Sequence, residues 1–276
     1  MDIIPPNAVD TFLKNSFVIL NVSDAAIAKL RGAFDTASAF FHQSLETKMA
    51  CSFPQDMGYR PYGVEYSQSP LFPDQVESFS ISMRAPIDSS QLNTPEGVAL
   101  NQQMTALFNE FEGLAELFAL KLSARLGDRA RHGLTGALRN WSRLQINYCQ
   151  PNTLSYPLIN ETHEDGNFLT ATCATGPGLQ LKVGNDFIPI NTAEGQILVI
   201  AGEIGSLLSG GHINPTFHRV VRHSELIERL ALIFFADIDP AKCVPWIVNQ
   251  NNRDIDIGKR VWDSVNRFGL SGFFRE

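Results

Sequence analysis

The residues of this chain best suited to chemistry are His163 and Asp165, in Thr162-His163-Glu164-Asp165-Gly166. In an extended strand, side chains i and i+2 point to the same face. If this stretch is extended, His163 and Asp165 lie side by side and Glu164 points away. Two such groups fill one edge of a metal's coordination sphere, and a third ligand must come from elsewhere in the fold. His218, in Thr216-Phe217-His218-Arg219-Val220-Val221, is the candidate because it opens another apolar, β-prone run. Two imidazoles and one carboxylate, with the remaining positions open, are the facial ligand set of non-heme Fe(II). A His-x-Asp pair also arises by chance in exposed loops, so spacing alone leaves both readings standing.

The elements that would position these residues follow from periodicity. After about residue 140 the pattern alternates with period 2. The segments 143–148, 168–174, 179–183, 187–190, 196–201, 217–221 and 230–236 read as short strands, with Gly184-Asn185-Asp186 as a hairpin turn. Many short strands at this spacing imply a sandwich or jelly roll, with the metal candidates at strand ends. Upstream, Phe17–Val22 reads as a strand. Ser23 caps an amphipathic helix over 24–42 that carries Ile27, Leu30, Phe34, Ala37 and Phe41. Thr94-Pro95 starts a helix of roughly 45 Å that ends at Gly127, with Leu100, Met104, Leu107, Phe108, Phe111, Leu114, Phe118, Leu122 and Leu126 as its apolar stripe. Between the helices, residues 51–93 are rich in Gly, Pro, Ser and aromatics without strong periodicity. They read as a lid, an aromatic-stapled cover over the core, or both. Residues 241–276 read as a C-terminal extension whose Trp262, Val265, Phe268 and Leu270 pack back on the long helix.

Composition narrows the class. A chain of 276 residues with 44% hydrophobic and 18% charged residues can bury a sizeable core. The net charge of −7 argues against nucleic acid as a partner. No apolar window approaches membrane-spanning length, and no secretory signal pattern opens the chain. Cys51, Cys149, Cys173 and Cys243 are scattered with no Cys-x-x-Cys pair, which fits reduced thiols in a cytoplasmic protein better than structural zinc.

Taken together, the motifs resemble the Fe(II)- and 2-oxoglutarate-dependent oxygenases of the isopenicillin N synthase-like family. Gly58-Tyr59-Arg60-Pro61-Tyr62-Gly63 and Glu77-Ser78-Phe79-Ser80 are similar to that family's N-terminal region. Gln145-Ile146-Asn147-Tyr148 is similar to its Arg-x-Asn-Tyr strand, with Gln145 in place of Arg. His163-Glu164-Asp165-Gly166, Gly178-Leu179-Gln180-Leu181, Gly202-Glu203 and His218-Arg219-Val220-Val221 follow in the family's order. The resemblance implies a double-stranded β-helix (jelly-roll) core, mainly β with flanking α, with N-terminal helices and a C-terminal extension. It implies one catalytic unit over 1–276: a helical and lid region to about 139, the core over about 140–240, and the extension over 241–276.

By the same resemblance, His163, Asp165 and His218 would hold Fe(II), with 2-oxoglutarate and O2 at the open positions. Arg229 would anchor the distal carboxylate of 2-oxoglutarate, with Asn147 and Tyr148 on the cosubstrate side. As a bare sequence feature, Arg229 could equally be an exposed arginine beside Glu225 and Glu228. The chain would hydroxylate or desaturate an unactivated carbon of a small biosynthetic molecule, releasing succinate and CO2, as a cytoplasmic monomer. Asp165 argues against halogenation, because the family's halogenases replace this carboxylate with Gly or Ala. Two departures stand out. The Arg-x-Ser pattern is here Arg229-Leu230-Ala231, and the family's Tyr-Tyr is here Tyr148-Cys149. They keep open a 2-oxoglutarate-independent iron oxidase, and beside it a silent ligand-binding relative. A Ser-His-Asp hydrolase lacks its Gly-x-Ser-x-Gly elbow. The expected substrate wall comprises Tyr59, Arg60, Tyr62, Tyr66, Phe79 and Arg84 of the lid stretch, with His212 and Phe235. Other histidines, His42, His132 and His223, read as surface residues.

Overall fold

The computed structural model describes residues 4–127, 138, 140–153 and 156–267. In chain order its elements begin with helix α1 (Ala8–Asn15), strand β1 (Phe17–Asn21), helices α2 (Asp24–Phe41) and α3 (Leu45–Met49), and strands β2 (Ser52–Phe53), β3 (Met57–Arg60) and β4 (Glu77–Ile81). The long helix α4 (Pro95–Leu126) then leads into β5 (Arg143–Cys149), β6 (Leu158–His163), β7 (Leu169–Ala174), β8 (Leu179–Val183), β9 (Asp186–Pro189) and β10 (Gln196–Ala201). Helix α5 (Glu203–Leu208), β11 (His218–Val221), β12 (Arg229–Ala236) and α6 (Ile257–Arg267) follow among the described residues.

The helices form for local reasons and stay because they bury one face. Ser23 accepts a hydrogen bond from the Ala26 amide at 3.4 Å, and Thr94 accepts one from the Gly97 amide at 2.9 Å. Helix α4 buries Leu100, Met104, Leu107, Phe108, Phe111, Phe118 and Leu122 against α2 and against the large sheet. Phe234 of β12 meets Phe108 and Phe111 with ring centroids 5.3 and 5.7 Å apart.

Two antiparallel sheets make the jelly roll. The larger has the order β1-β10-β7-β12-β5-β4-β3-β2, and the smaller has the order β6-β11-β8-β9. Period-2 alternation sorts the large sheet's side chains. Leu144, Ile146, Tyr148, Leu230, Leu232 and Phe234 enter the core shared with α2 and α4. Arg143, Gln145, Asn147, Ala231, Ile233 and Phe235 face the small sheet across a cavity. At the far end, Leu181 of the small sheet packs with Leu198 and Ile200 of the large one. The two-residue turn between β8 and β9 uses Gly184 at φ +61°, where a side chain would strain the backbone.

Two expectations change. The stretch 51–93 contributes three strands that extend the large sheet beyond β5. All four residues of β3 are buried, as are four of the five in β4, so no alternation marked them. The C-terminal helix docks on α5 and on the turn Pro240–Lys242 rather than along the long helix. Trp262 meets Trp141 edge-on at 5.2 Å. Phe268, Leu270 and His132 lie outside the described residues, as does the side chain of Val265. His42 and His223 are exposed.

Candidate active site

His163 is the last residue of β6, and His218 is the first of β11. The antiparallel pairing makes them Cα partners, with ring centroids 4.3 Å apart. Asp165 follows two residues after His163, in a turn tied down when its carbonyl accepts the Glu203 amide at 2.8 Å. Its Oδ1 lies 3.6 Å from His163 Nε2 and 3.8 Å from His218 Nε2. One ligand atom from each of the three residues lies within 4.8 Å of the others.

The surroundings fit a divalent metal. The Nδ1 of His163 is 2.7 Å from the Glu161 carbonyl, and that of His218 is 3.0 Å from the Thr216 carbonyl. A carbonyl only accepts, so each Nδ1 carries the proton and each Nε2 lone pair is left for the metal. The Thr170 hydroxyl donates to Asp165 Oδ2 at 2.5 Å and leaves Oδ1 for the same centre. Burial alone would raise the Asp165 carboxyl, but His218, His163 and Thr170 together hold it well below the usual carboxylate range. Burial, helped by neighbouring His163 and opposed by Asp165, lowers His218.

A cavity of 470 Å³ opens beside the triad, between the sheets. Five pairs of residues cross its floor on β5 and β12 or just beyond their ends. In the strands, Cys149 pairs with Arg229, Asn147 with Ala231, Gln145 with Ile233 and Arg143 with Phe235. Beyond them, Trp141 and Asp237 border the same cavity.

Arg229 is buried at one end, its Nε donating to the Pro177 carbonyl at 3.0 Å. Among the described residues no carboxylate lies within ion-pair distance of it. Burial lowers the guanidinium's pKa, partly countered by Cys149. The Cys149 thiol is itself pushed up to about 11 by burial, against the pull of Arg229. Gly178 approaches closely here: at φ +125°, a Cβ would stand 2.6 Å from the Val221 carbonyl oxygen.

Several expected site residues stand elsewhere. Tyr148 borders the cavity, but its ring stacks on Phe41 at 5.0 Å and its hydroxyl accepts from Gln150 at 2.9 Å. The strand's alternation turns it into the helix-facing core and puts Cys149 inward instead. Tyr59 and Phe79 are core residues, and Tyr59 donates to Glu77 at 2.7 Å. Arg60 is buried 3.7 Å from Glu65 and 3.8 Å from Asp56, outside the cavity wall. Tyr62 is exposed and bonded to Gln75. Arg84 lies over the Trp141 ring at 4.4 Å, behind the wall. His212 is exposed, with Nδ1 2.9 Å from the Ser209 carbonyl. Of the expected substrate wall, Tyr66 and Phe235 line the cavity, and Asn147 and Tyr148 do so on the cosubstrate side.

Sequence reading missed Arg143, Asp237, Glu65, Asp74 and Trp141, all of which line the cavity. Arg143 lies over the Phe235 ring at 4.8 Å, and burial lowers it to about 10, so it stays charged at neutral pH. Asp237 accepts from the Ile238 amide at 2.9 Å, and burial raises its carboxyl well above the usual range. Gln145, where the family pattern has Arg, donates to Glu65 at 2.9 Å and to Asn147 at 2.6 Å, and accepts from Ser80 at 3.0 Å. The available signal was Arg143-Leu144-Gln145-Ile146-Asn147, where polar and apolar residues alternate in a strand buried on both faces.

Residues 140–238 match the 2OG-Fe(II) oxygenase superfamily. Among curated proteins, no sequence matches the chain. Solved structures share the fold along nearly its whole length. A Neurospora crassa protein in complex with alpha-KG and thymine is 18% identical at a TM-score of 0.74, over 94% of this chain and 89% of its own. A 2OG-Fe(II) oxygenase family protein from Caulobacter crescentus is 20% identical at 0.74, over 94% and 92%. The dioxygenase for auxin oxidation 1 of Arabidopsis thaliana, in complex with 2-oxoglutarate, is 19% identical at 0.63, over 83% and 87%. The strands that bring His163, Asp165 and His218 together lie within the stretch, residues 140–238, that is similar to the 2OG-Fe(II) oxygenase superfamily.

Proposed function

We propose that the protein uses Fe(II), 2-oxoglutarate and O2 to hydroxylate or desaturate an unactivated carbon of a small biosynthetic molecule, with succinate and CO2 as coproducts. The observation that carries this reading is the convergence of the three ligand atoms on a cavity whose wall also holds a buried arginine with no acidic partner among the described residues. His163, Asp165 and His218 hold the metal, and Arg229 pairs with the distal carboxylate of the keto acid through its guanidinium fork. The metal and keto acid, when bound, supply oxidative decarboxylation and the oxidising power to break a C–H bond. The chain's own part is positional. The Glu161 and Thr216 carbonyls fix the imidazole tautomers, and Thr170 fixes the carboxylate. Val76, Ile159, Leu179 and Val220 pack as an apolar wall that keeps water from the carboxylate seat.

The Neurospora crassa structure in complex with alpha-KG and thymine supports a small-molecule substrate. This reading takes residues 1–276 as one catalytic unit and as a monomer. Four buried thiols without a disulfide support the cytoplasm. A second reading, a 2-oxoglutarate-independent iron oxidase, is favoured by Ala231 and Cys149, which stand where the resemblance leads one to expect hydroxyl groups. Succinate release separates the two. Iron-loaded protein given 2-oxoglutarate in air is expected to release succinate above the level of free iron, and Asp165→Ala protein is expected not to. Oxygen uptake without succinate would select the oxidase.

A further inference from the structure

The polar floor of the cavity has a fixed direction. Gln145 and Asn147 lie two residues apart on β5, so their side chains share the cavity face. The Gln145 Nε2 is 2.9 Å from a Glu65 carboxylate oxygen and 2.6 Å from Asn147 Oδ1, and its Oε1 is 3.0 Å from the Ser80 hydroxyl. A carboxylate only accepts, so the Gln145 group facing Glu65 is the NH2, and its two hydrogens are both committed. The atom of Asn147 that meets this NH2 must accept, which makes it Oδ1 and turns the Asn147 NH2 away from Gln145. Among the described residues that NH2 meets no acceptor. The Cα partners of Asn147 do not take it: Ala231 offers a methyl, and the Ser78 hydroxyl turns to Glu65. Asn147 is 8% exposed and borders the cavity, so a buried donor faces the space where a ligand binds.

We propose, resting on the oxygenase reading above, that Glu65 and Gln145 are positioning residues that lock Asn147 as a hydrogen-bond donor to the bound keto acid. Along β12 the cavity-facing order is Arg229, Ala231, Ile233 and Phe235, with Asn147 the partner of Ala231. Phe235 is the partner of Thr170, whose hydroxyl holds Asp165. A keto acid running from Arg229 to the metal therefore passes Asn147. The Arg229 guanidinium and the Asn147 NH2 both donate, which matches oxygens that only accept. Turned over, Asn147 would set Oδ1 against those oxygens. Glu65 belongs to the stretch between β3 and β4, where its carbonyl accepts the Asp74 amide at 2.8 Å. The cover of the cavity thus sets the polarity of its floor, with Gln145 as the link.

The test is anaerobic titration of Fe(II)-loaded protein with 2-oxoglutarate, read as the dissociation constant from the visible band of keto-acid chelation. Bound iron and the thermal midpoint are measured for each variant. Asn147→Ala is expected to weaken binding by about tenfold or more. Asn147→Asp, which has the same shape but only accepts, should weaken it at least as much. Gln145→Met and Glu65→Gln free the Asn147 amide to turn over, and each should weaken binding by about three- to tenfold. Neither should weaken it further in Asn147→Ala protein, so each double variant stays within about twofold of Asn147→Ala alone. Glu65→Gln keeps the side chain's size and decides the matter if Gln145→Met does not fold. Wild-type affinity in Asn147→Asp would mean that Asn147 donates nothing to the keto acid. If the Gln145 and Glu65 effects are absent, or multiply with that of Asn147→Ala, these residues act by packing and the positioning role falls. In both cases the wild-type band leaves the oxygenase reading standing. Iron-loaded wild-type protein with no band would overturn both.

Discussion

Single atoms distinguish the two ends of β12. At the Arg229 end a hydroxyl is missing, because Ala231 stands two residues along the same face and is buried. A hydrogen bond to a charged group contributes about 1.5–3 kcal/mol. Ala231→Ser is therefore expected to tighten 2-oxoglutarate binding by about tenfold, read as the dissociation constant by anaerobic titration. Unchanged or weaker binding would mean that the carboxylate does not sit over residue 231. At the other end, Asp237 holds a proton in the fold at pH values where the unfolded chain has lost it. The folded state binds the extra proton, so this group's contribution to stability is largest at low pH. It is lost as pH rises from the unfolded value toward the folded one. Asp237→Asn removes the effect. Its denaturation midpoint, compared with wild type, should improve as pH rises above the usual carboxylate range, whereas a constant difference would place the Asp237 carboxyl in contact with water.

Elements carry these residues to their places, and packing behind the sheet decides how firmly. Phe234 alternates with Ile233 and Phe235, fully buried between Phe108 and Phe111 of α4, on the strand that presents Arg229 and Phe235 to the cavity. Phe234→Ala is expected to cost about 3–5 kcal/mol in chemical denaturation. A loss under about 1 kcal/mol would show that the helix layer does not support the strand. Strong periodicity made such elements legible: α2, α4 and the strands from 143 onward other than β6 fall within one or two residues of where spacing puts them. Strands without a periodic signal were not legible. β3 and β4 are buried on both faces, and β6 carries Asn160, Glu161, Thr162 and His163, mixed residues that alternate in neither burial nor polarity. The same limit explains the site. His163, Asp165, His218 and Arg229 sit in short motifs with chemical identity. Arg143 and Asp237 have no motif, and only strand pairing brings them to one cavity. Tyr148 borders the cavity yet turns its ring into the helix-facing core, because a one-residue step along a strand reverses the face.

Over the whole molecule, a chain of net charge −7 places two buried guanidinium groups inside a cavity between its sheets. Local field, not net charge, therefore sets what enters. Among the described residues no helix is long and apolar enough to cross a membrane. The large sheet takes helices on one face and the cavity on the other, so the rigid layer that excludes water from the core also forms the floor of the site. This division gives the central claim its most direct test, because both the metal and the keto acid must bind at that floor. Fe(II)-loaded protein is titrated with 2-oxoglutarate without oxygen, and the weak visible charge-transfer band of keto-acid chelation is followed in wild type and in Arg229→Ala. The account predicts a saturable band that needs at least tenfold more ligand after Arg229→Ala. Well-bound iron with no band, or a band indifferent to Arg229, would contradict it.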